Sequence, residues 1–443
     1  MQDLTIIRTA VRALREGYGA LRRAVRVARQ IWRSAMVGFK PTDVTLPSGN
    51  HYLSQQEFDY CCALIDYYIS EQQQIIPYSK AHNRDHALFD RGNVWRDGVV
   101  DHTTAMLLSK KYNNVNRLRL IAHHFSNYRV FDLSKAEEFP ATTKWFDNFY
   151  NKGMAELPDD LDSIITSHIN PTWRIDEVTP YLDPIIDRID PKYLHEQPLR
   201  FGEIAGNYRG FMVNGDSQRY WAVSAVLARS GIFEVLEHQI AQKGVCRVME
   251  IGAGYGGLGY QLKKSFGDKL QFIAVDLVES LLFSSCYLAT LLKDKALYYK
   301  AEKTVPAEYG LVFVPTFRSP EFFEAVSDVD LCINTISMNE MTADQVDYYG
   351  RMISKTLSAQ GIFFECNWTS SISANRINNK LFLAPHFRQR LSLQKTEVSN
   401  DGDLDLWANL IPPSVYEACK IEYPPPNWFE IVWSQMKAYC RRY

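Results

Sequence analysis

The sequence predicts an α/β protein, with a Rossmann-like open parallel sheet preceded by a mostly helical region. Three observations predict it. The first is Val248–Gly259, VMEIGAGYGGLG, a short apolar run leading into a glycine-rich turn. The second is Phe272–Asp276, FIAVD, an apolar run closed by an acid. An open α/β sheet puts a carboxylate there to meet ribose hydroxyls. The third is rhythm: Leu311–Pro315 (LVFVP), Asp330–Ser337 (DLCINTIS) and Gly361–Asn367 (GIFFECN) read as third, fourth and fifth strands, with helical patterns between them. Strands alternating with helices argue for a parallel sheet covered on both faces. Ligands of such sheets bind beyond the carboxyl ends of the strands, so Gly252, Asp276, Asn334 and Asn367 are expected along one edge.

Glycines after a strand can serve only a tight turn or close helix packing. Here the later strands follow in order, which favours a nucleotide site. The form of the turn points away from a dinucleotide, because Glu250 sits inside the end of the first strand. It suits S-adenosylmethionine (SAM), whose amino-acid tail lies where a pyrophosphate would otherwise lie. An NAD-dependent dehydrogenase is disfavoured on the same ground. The expected cofactor-binding residues are Glu250, Gly252, Gly254, Tyr255, Gly256 and Asp276, with Asn334 and Ser337 at the end of the fourth strand. Gly252 and Gly254 give the backbone room, Asp276 holds the ribose hydroxyls, and Glu250 orients the turn or meets the cofactor's amino group. For Asn334 and Ser337 the alternative is strand-end capping.

These segments resemble the sugar O-methyltransferases of bacterial surface-polysaccharide gene clusters. The resemblance rests on Val248–Gly259, on Asp276–Leu281 (DLVESL) with Tyr287-Leu288, and on Asn334–Met341 (NTISMNEM). Upstream, Phe201-Gly-Glu203, Val213-Asn214 and Arg219-Tyr220 look like the approach to the same domain. It covers roughly Phe201 to Asn367, and one departure is Val278, where the family tends to carry proline. The resemblance implies a class I SAM-dependent methyltransferase domain and an acceptor that is a glycan or lipid-linked glycan, of the O-antigen, lipopolysaccharide or capsule type. Methylation of a small molecule or a lipid headgroup is the enzymatic alternative. A methyltransferase-like scaffold without activity is the other.

The 443 residues exceed one domain of ordinary size. They divide into a basic amphipathic segment at 1–40, a mostly helical accessory region at 41–200, the SAM-binding domain at 201–370, and its C-terminal completion with a terminal helix at 371–443. In the first segment, Ile7, Val11, Leu14, Tyr18, Leu21, Val25, Ala28 and Trp32 form one helical stripe. Arg8, Arg12, Arg15, Arg22, Arg26, Arg29 and Arg33 flank it. Through residues 1–38 this helix docks on the protein's own body, lies on an anionic membrane surface, or meets a partner helix. Gly17 and Gly19 weaken its continuity. Farther on, Phe58, Cys61, Cys62, Ile65 and Ile69 share an apolar face, as do Leu118, Ile121, Ala122 and Phe125. Methyltransferase sheets of this kind end in a reversed hairpin, for which Phe382-Leu383 and Asp405–Trp407 are candidates. An amphipathic helix is expected from Phe429 to Tyr439.

A net charge of −2 excludes a global nucleic-acid-binding field. The eight cysteines form no C-x-x-C pair and no disulfide framework. That usage suits a reducing cytoplasm. No secretory signal and no long uncharged apolar run is present, so the expected location is cytoplasmic, with peripheral contact at the inner membrane face. Oligomeric state is left open.

Methyl transfer to a neutral hydroxyl needs a base within hydrogen-bond reach. Glu340 follows the fourth strand and is one candidate; a structural ion pair is its alternative. His102, in the polar run Arg96–His102, is the other. His123, His124 and His386 are weaker candidates, each more ordinary as a surface or satisfied buried histidine. His82 and His86 stand four apart with Asp90 and Asp97 nearby, but spacing fixes no third ligand, so no metal is assigned. Arg84, Arg209 and Arg219 are candidates for an anionic acceptor, with surface pairing as the alternative.

Overall fold

The computed structural model describes residues 44–45, 53–85, 88–89, 182–183, 185–187, 189–201, 205–213, 215–367, 377–393 and 403–419. The N-terminal arginine segment, the Leu118–Phe125 face, the expected helix at Phe429–Tyr439, and His86, His102, His123 and His124 lie outside them. Three short strands, β1 (Val44–Thr45), β2 (Ala205–Tyr208) and β3 (Phe211–Val213), form a small antiparallel sheet.

Helix α1 (Gln55–Ala81) starts at a capping box, in which Ser54 and Glu57 each satisfy the other's backbone N–H. Cys61, Leu64, Ile65 and Tyr68 form its buried face, while Phe58, Cys62 and Ile69 are half-buried beside it. This face packs on α5 (Val278–Leu292) of the main domain. Two ion pairs fix the docking. Arg318 grips Glu71 through Nε and Nη2, at 2.7 and 3.1 Å, and Arg84 meets Glu321 at 2.6 Å. Tyr60 and Tyr298 also meet through their hydroxyls.

Helices α2 (Gly215–Arg229) and α3 (Ile232–Lys243) lead into the main sheet. Its strands are β4 (Cys246–Ile251), β5 (Leu270–Asp276), β6 (Ala296–Tyr298), β7 (Leu311–Pro315), β8 (Val329–Thr335), β9 (Leu357–Asn367), β10 (Gln389–Leu393) and β11 (Asp403–Ala408). Their order is β10-β11-β9-β8-β4-β5-β7-β6. All neighbours from β6 to β9 pair parallel; β11 pairs antiparallel with both β9 and β10. Every residue of β5 and β7 is buried, so both faces of the sheet are covered, as parallel sheets require. α4 (Gly257–Phe266) and α5 pack on β5, and α7 (Ala343–Thr356) packs on β9. A short α6 (Ser319–Ala325) follows β7.

The strands expected from sequence are present, with the fifth reaching back to Leu357. The reversed hairpin is present too, but one half of it differs. Asp405–Trp407 lies in β11, whereas Phe382-Leu383 closes a short helix, α8 (Lys380–Leu383). The Asn379 carbonyl accepts from both Phe382 and Leu383 N–H and starts that turn. The true partner strand, β10, lies at the sheet edge with half-buried and exposed residues alternating, but it is five residues long with only two apolar ones, too short to stand out. β6 also escapes sequence reading, being three half-buried residues long. A last helix, α9, spans Pro413–Cys419.

Candidate functional site

β4 is the central strand, with β5 on one side and β8 on the other. The connections leave in opposite directions here, which opens a crevice at the carboxyl edge. Gly252 continues the ladder, donating its N–H to Val275 O at 2.8 Å. Its φ of +77° is natural only to glycine, and any Cβ there would overlap Ser337. Gly254, at φ +53°, donates its N–H to Asp276 Oδ2 at 2.6 Å. Leu277 N–H donates to the other oxygen at 2.7 Å. The Asp276 carboxylate is thus held in place by a backbone donor on each oxygen.

Burial pushes the Asp276 carboxyl up to about 6, although both backbone donors pull the other way. Glu250 lies beneath the turn, buried, with Oε2 lacking any hydrogen-bond partner. Burial raises its pKa well above the ordinary carboxylate value, and the neighbouring Asp276 charge adds to the rise. A buried carboxylate without a cation is costly, so the geometry fits a positively charged ligand group. Gly256 caps the start of α4. The Tyr255 ring turns away onto α5, packing on Tyr287 with centroids 4.2 Å apart.

The other half of the edge is built from amides. Asn334 Nδ2 donates to Ile251 O at 2.7 Å and to Ser337 Oγ at 2.5 Å. Its Oδ1 accepts from Met338 N–H at 3.2 Å and from Asn367 Nδ2 at 2.8 Å. All four bonds of this buried side chain are therefore spent inside the protein. The geometry of Asn334 matches the strand-end capping alternative. Ser337 also bonds Ile251 O, at 3.3 Å. Between them Ile336 takes φ +64°, a left-handed backbone rare for a β-branched residue. Its N–H is fixed to Cys366 O at 2.8 Å. Glu340 ends the following turn, Met338–Glu340, half-exposed at the same edge.

Glu250, Gly252, Gly254, Asp276, Asn334, Ser337 and Glu340 thus gather at the carboxyl edge. His386 does not; it bonds Asp347 of α7 at 2.8 Å. His82 caps α1, bonded to Tyr78 O and stacked on the Tyr78 ring. Arg84 is paired with Glu321, and Arg209 with Asp183 and Asp187 at 3.0 and 2.9 Å. Among the described residues no three His, Cys, Asp or Glu side chains cluster as a metal site would need.

Three residues at this edge were not singled out from sequence. Asn339 lies inside the Asn334–Met341 segment without being one of its distinguishing positions, and Asn379 has no motif around it. Glu365 lies inside a buried strand, bonded to Asn379 Nδ2 at 2.5 Å and to Trp407 Nε1 at 3.3 Å. Burial pushes its carboxyl up to about 7.

Sheet order, reversed final hairpin and glycine turn together define a Rossmann-like α/β domain. No family model and no curated protein sequence matches the chain. Solved structures similar to it include a provisionally assigned O-methyltransferase from Nostoc punctiforme, at 10% identity and TM-score 0.29, over 54% of this chain and 74% of that one. A provisionally assigned O-methyltransferase from Klebsiella pneumoniae is similar at 13% identity and TM-score 0.29, over 43% and 90%. Human N-acetylserotonin methyltransferase, solved with SAM, is similar at 11% identity and TM-score 0.26, over 44% and 56%.

Proposed function

We propose that this protein is a SAM-dependent O-methyltransferase that methylates a sugar hydroxyl of a bacterial surface polysaccharide or its lipid-linked precursor. The observation that carries the methyl-transfer reading is the pair of acids at the β4–β5 edge. Glu250 is a buried carboxylate with an unpartnered oxygen beneath the glycine turn, and Asp276 is a carboxylate held open by Gly254 and Leu277. One fits an ammonium group and the other a ribose diol. The sugar part of the reading is supported by the resemblance of Asn334–Met341.

When bound, SAM supplies a methyl group already activated on a sulfonium. The residues of this chain bind and orient. Gly252 and Gly254 let the backbone approach the ligand, and Asn334 and Ser337 pin the β8 turn against Ile251 and Gly252. Glu340 stands past β8 as the group that accepts the acceptor hydroxyl's proton. Alignment of donor and acceptor supplies much of the rate, since proximity alone contributes several kcal/mol (~7–11 in favourable intramolecular cases).

The test is calorimetric titration with S-adenosylhomocysteine. Wild type should bind in the micromolar range, and Asp276→Ala should bind at least about a hundredfold more weakly, because a diol loses two charge-assisted bonds. Absence of binding to wild type would remove the reading.

A further inference from the structure

Four asparagines stand near the carboxyl ends of β8 and β9, and they are not equivalent. Asn334 and Asn367 spend both ends of their amides on protein partners. Asn339 bonds only through its backbone. Its N–H donates to Asn367 Oδ1 at 3.3 Å, and its carbonyl accepts from Ile377 N–H at 3.2 Å. The residue is fully buried, yet neither Oδ1 nor Nδ2 has a partner. Two residues beyond Ile377, Asn379 gives Nδ2 to Glu365, while its buried Oδ1 is also unpartnered.

Folded proteins pair nearly all buried polar atoms, and a group left unpaired calls for a reason. Leucine has the same branched outline as asparagine, though more bulk, and would leave no polar atom unpaired there. Asn339 directly precedes Glu340 in the turn that follows β8.

We infer that Asn339 is an acceptor-binding residue whose amide takes two neighbouring neutral hydroxyls of the substrate, with Asn379 Oδ1 as a further acceptor. This rests on the methyl-transfer reading above. The chemistry separates neutral from anionic acceptors. The orphaned atoms are two carbonyl oxygens and one NH₂ group. The oxygens need donors, which hydroxyls supply and a carboxylate or phosphate dianion does not. Glu340 on the same edge adds repulsion against an anion. A polyol presents donors and lone pairs side by side, as an amide does.

The experiment compares wild type with Asn339→Leu by thermal melting, by S-adenosylhomocysteine titration, and by methyl transfer from labelled SAM to delipidated O-antigen polysaccharide. The variant should melt at or above the wild-type temperature and bind S-adenosylhomocysteine equally well. Its transfer should fall at least about a hundredfold, the cost of removing a site's hydrogen-bond partners for a substrate hydroxyl. A clearly lower melting temperature would make the amide a structural residue and overturn the inference. So would undiminished transfer. If wild type binds S-adenosylhomocysteine but methylates no polysaccharide, the sugar reading falls and this inference with it. If wild type binds no S-adenosylhomocysteine, the methyltransferase reading itself has failed.

Discussion

The two halves of the carboxyl edge are built on opposite plans. At β4–β5 the ligand-facing parts are backbone and charge: Gly252 and Gly254 in left-handed conformations, Asp276 held by two N–H groups, Glu250 buried with an unpartnered oxygen. At β8–β9 the edge is framed by amides, with Asn334 and Asn367 bonded to each other and all of Asn334's bonds spent inside the protein. On the proposed reading, the first plan offers a buried acid to a cationic ligand group and a second carboxylate to a diol. The second builds a stiff frame and leaves only Asn339 and one end of Asn379 unspent. Substitutions at the first half should therefore act on cofactor binding. Those at the second should act on the acceptor or on the fold.

The largest contrast comes from Gly252→Ala set beside Gly210→Ala. Both glycines have positive φ, +77° and +88°, but a Cβ at Gly210 meets nothing within 4 Å, whereas one at Gly252 collides with Ser337. Each variant should lose about 1–2 kcal/mol to the left-handed backbone. Gly252→Ala should lose more, through displacement of Ser337, and its S-adenosylhomocysteine binding should disappear. Denaturant unfolding and calorimetry measure both. Wild-type affinity in Gly252→Ala would break the link between this turn and the cofactor.

A smaller effect is expected from pH, and stability and affinity should move in opposite directions. Asp276 is raised from 3.8 to about 6 in the folded chain. Over that interval the folded form holds more protons than the unfolded form, so this group's contribution to stability falls as pH rises. Glu365, raised to about 7, extends the same trend. A diol donates best to the ionised Asp276, so affinity for S-adenosylhomocysteine should be level above about pH 7. Below about 6 it should weaken by up to tenfold per pH unit, the limit for one proton taken up. Titrations from pH 5 to 8 decide this, and a flat profile would remove Asp276 as the diol acceptor.

The same contrast explains what was legible in the sequence. Gly252 and Gly254 announce left-handed backbone directly, and Asp276 ends an obvious apolar run, so the cofactor half could be read from local spacing. The amide frame could be read only in part. Asn334 and Asn367 are expected at this edge, but Asn334 and Asn339 share one segment while Asn367 and Asn379 come from others, and nothing in the spacing separates a bonded amide from an orphaned one. Their roles depend on the β8–β9 register, which sets Asn334 beside Glu365, and on the return of the chain at Ile377. The edge strand β10 was missed for a different reason: it alternates, but with two apolar residues in five it is too short to be told from a loop.

The smallest expected effect separates strain kept for function from strain that is merely tolerated. Lys293 and Ile336 share nearly the same left-handed backbone, at φ +57° and +64°. Lys293 closes α5 at an exposed helix end, where glycine is the usual residue. Lys293→Gly should therefore stabilise the protein by about 0.5–1 kcal/mol, the relief of strain less the added freedom of the unfolded chain. Cofactor affinity should not change. Ile336 is half-exposed at the crevice and precedes Ser337, which packs on Gly252. Glycine there relieves the same strain but loosens the turn that carries Ser337, so affinity for S-adenosylhomocysteine should fall several-fold, roughly 1 kcal/mol. If both variants leave affinity unchanged, the strain at Ile336 has no more functional weight than that at Lys293, and the stiffness of the β8 turn does not reach the cofactor.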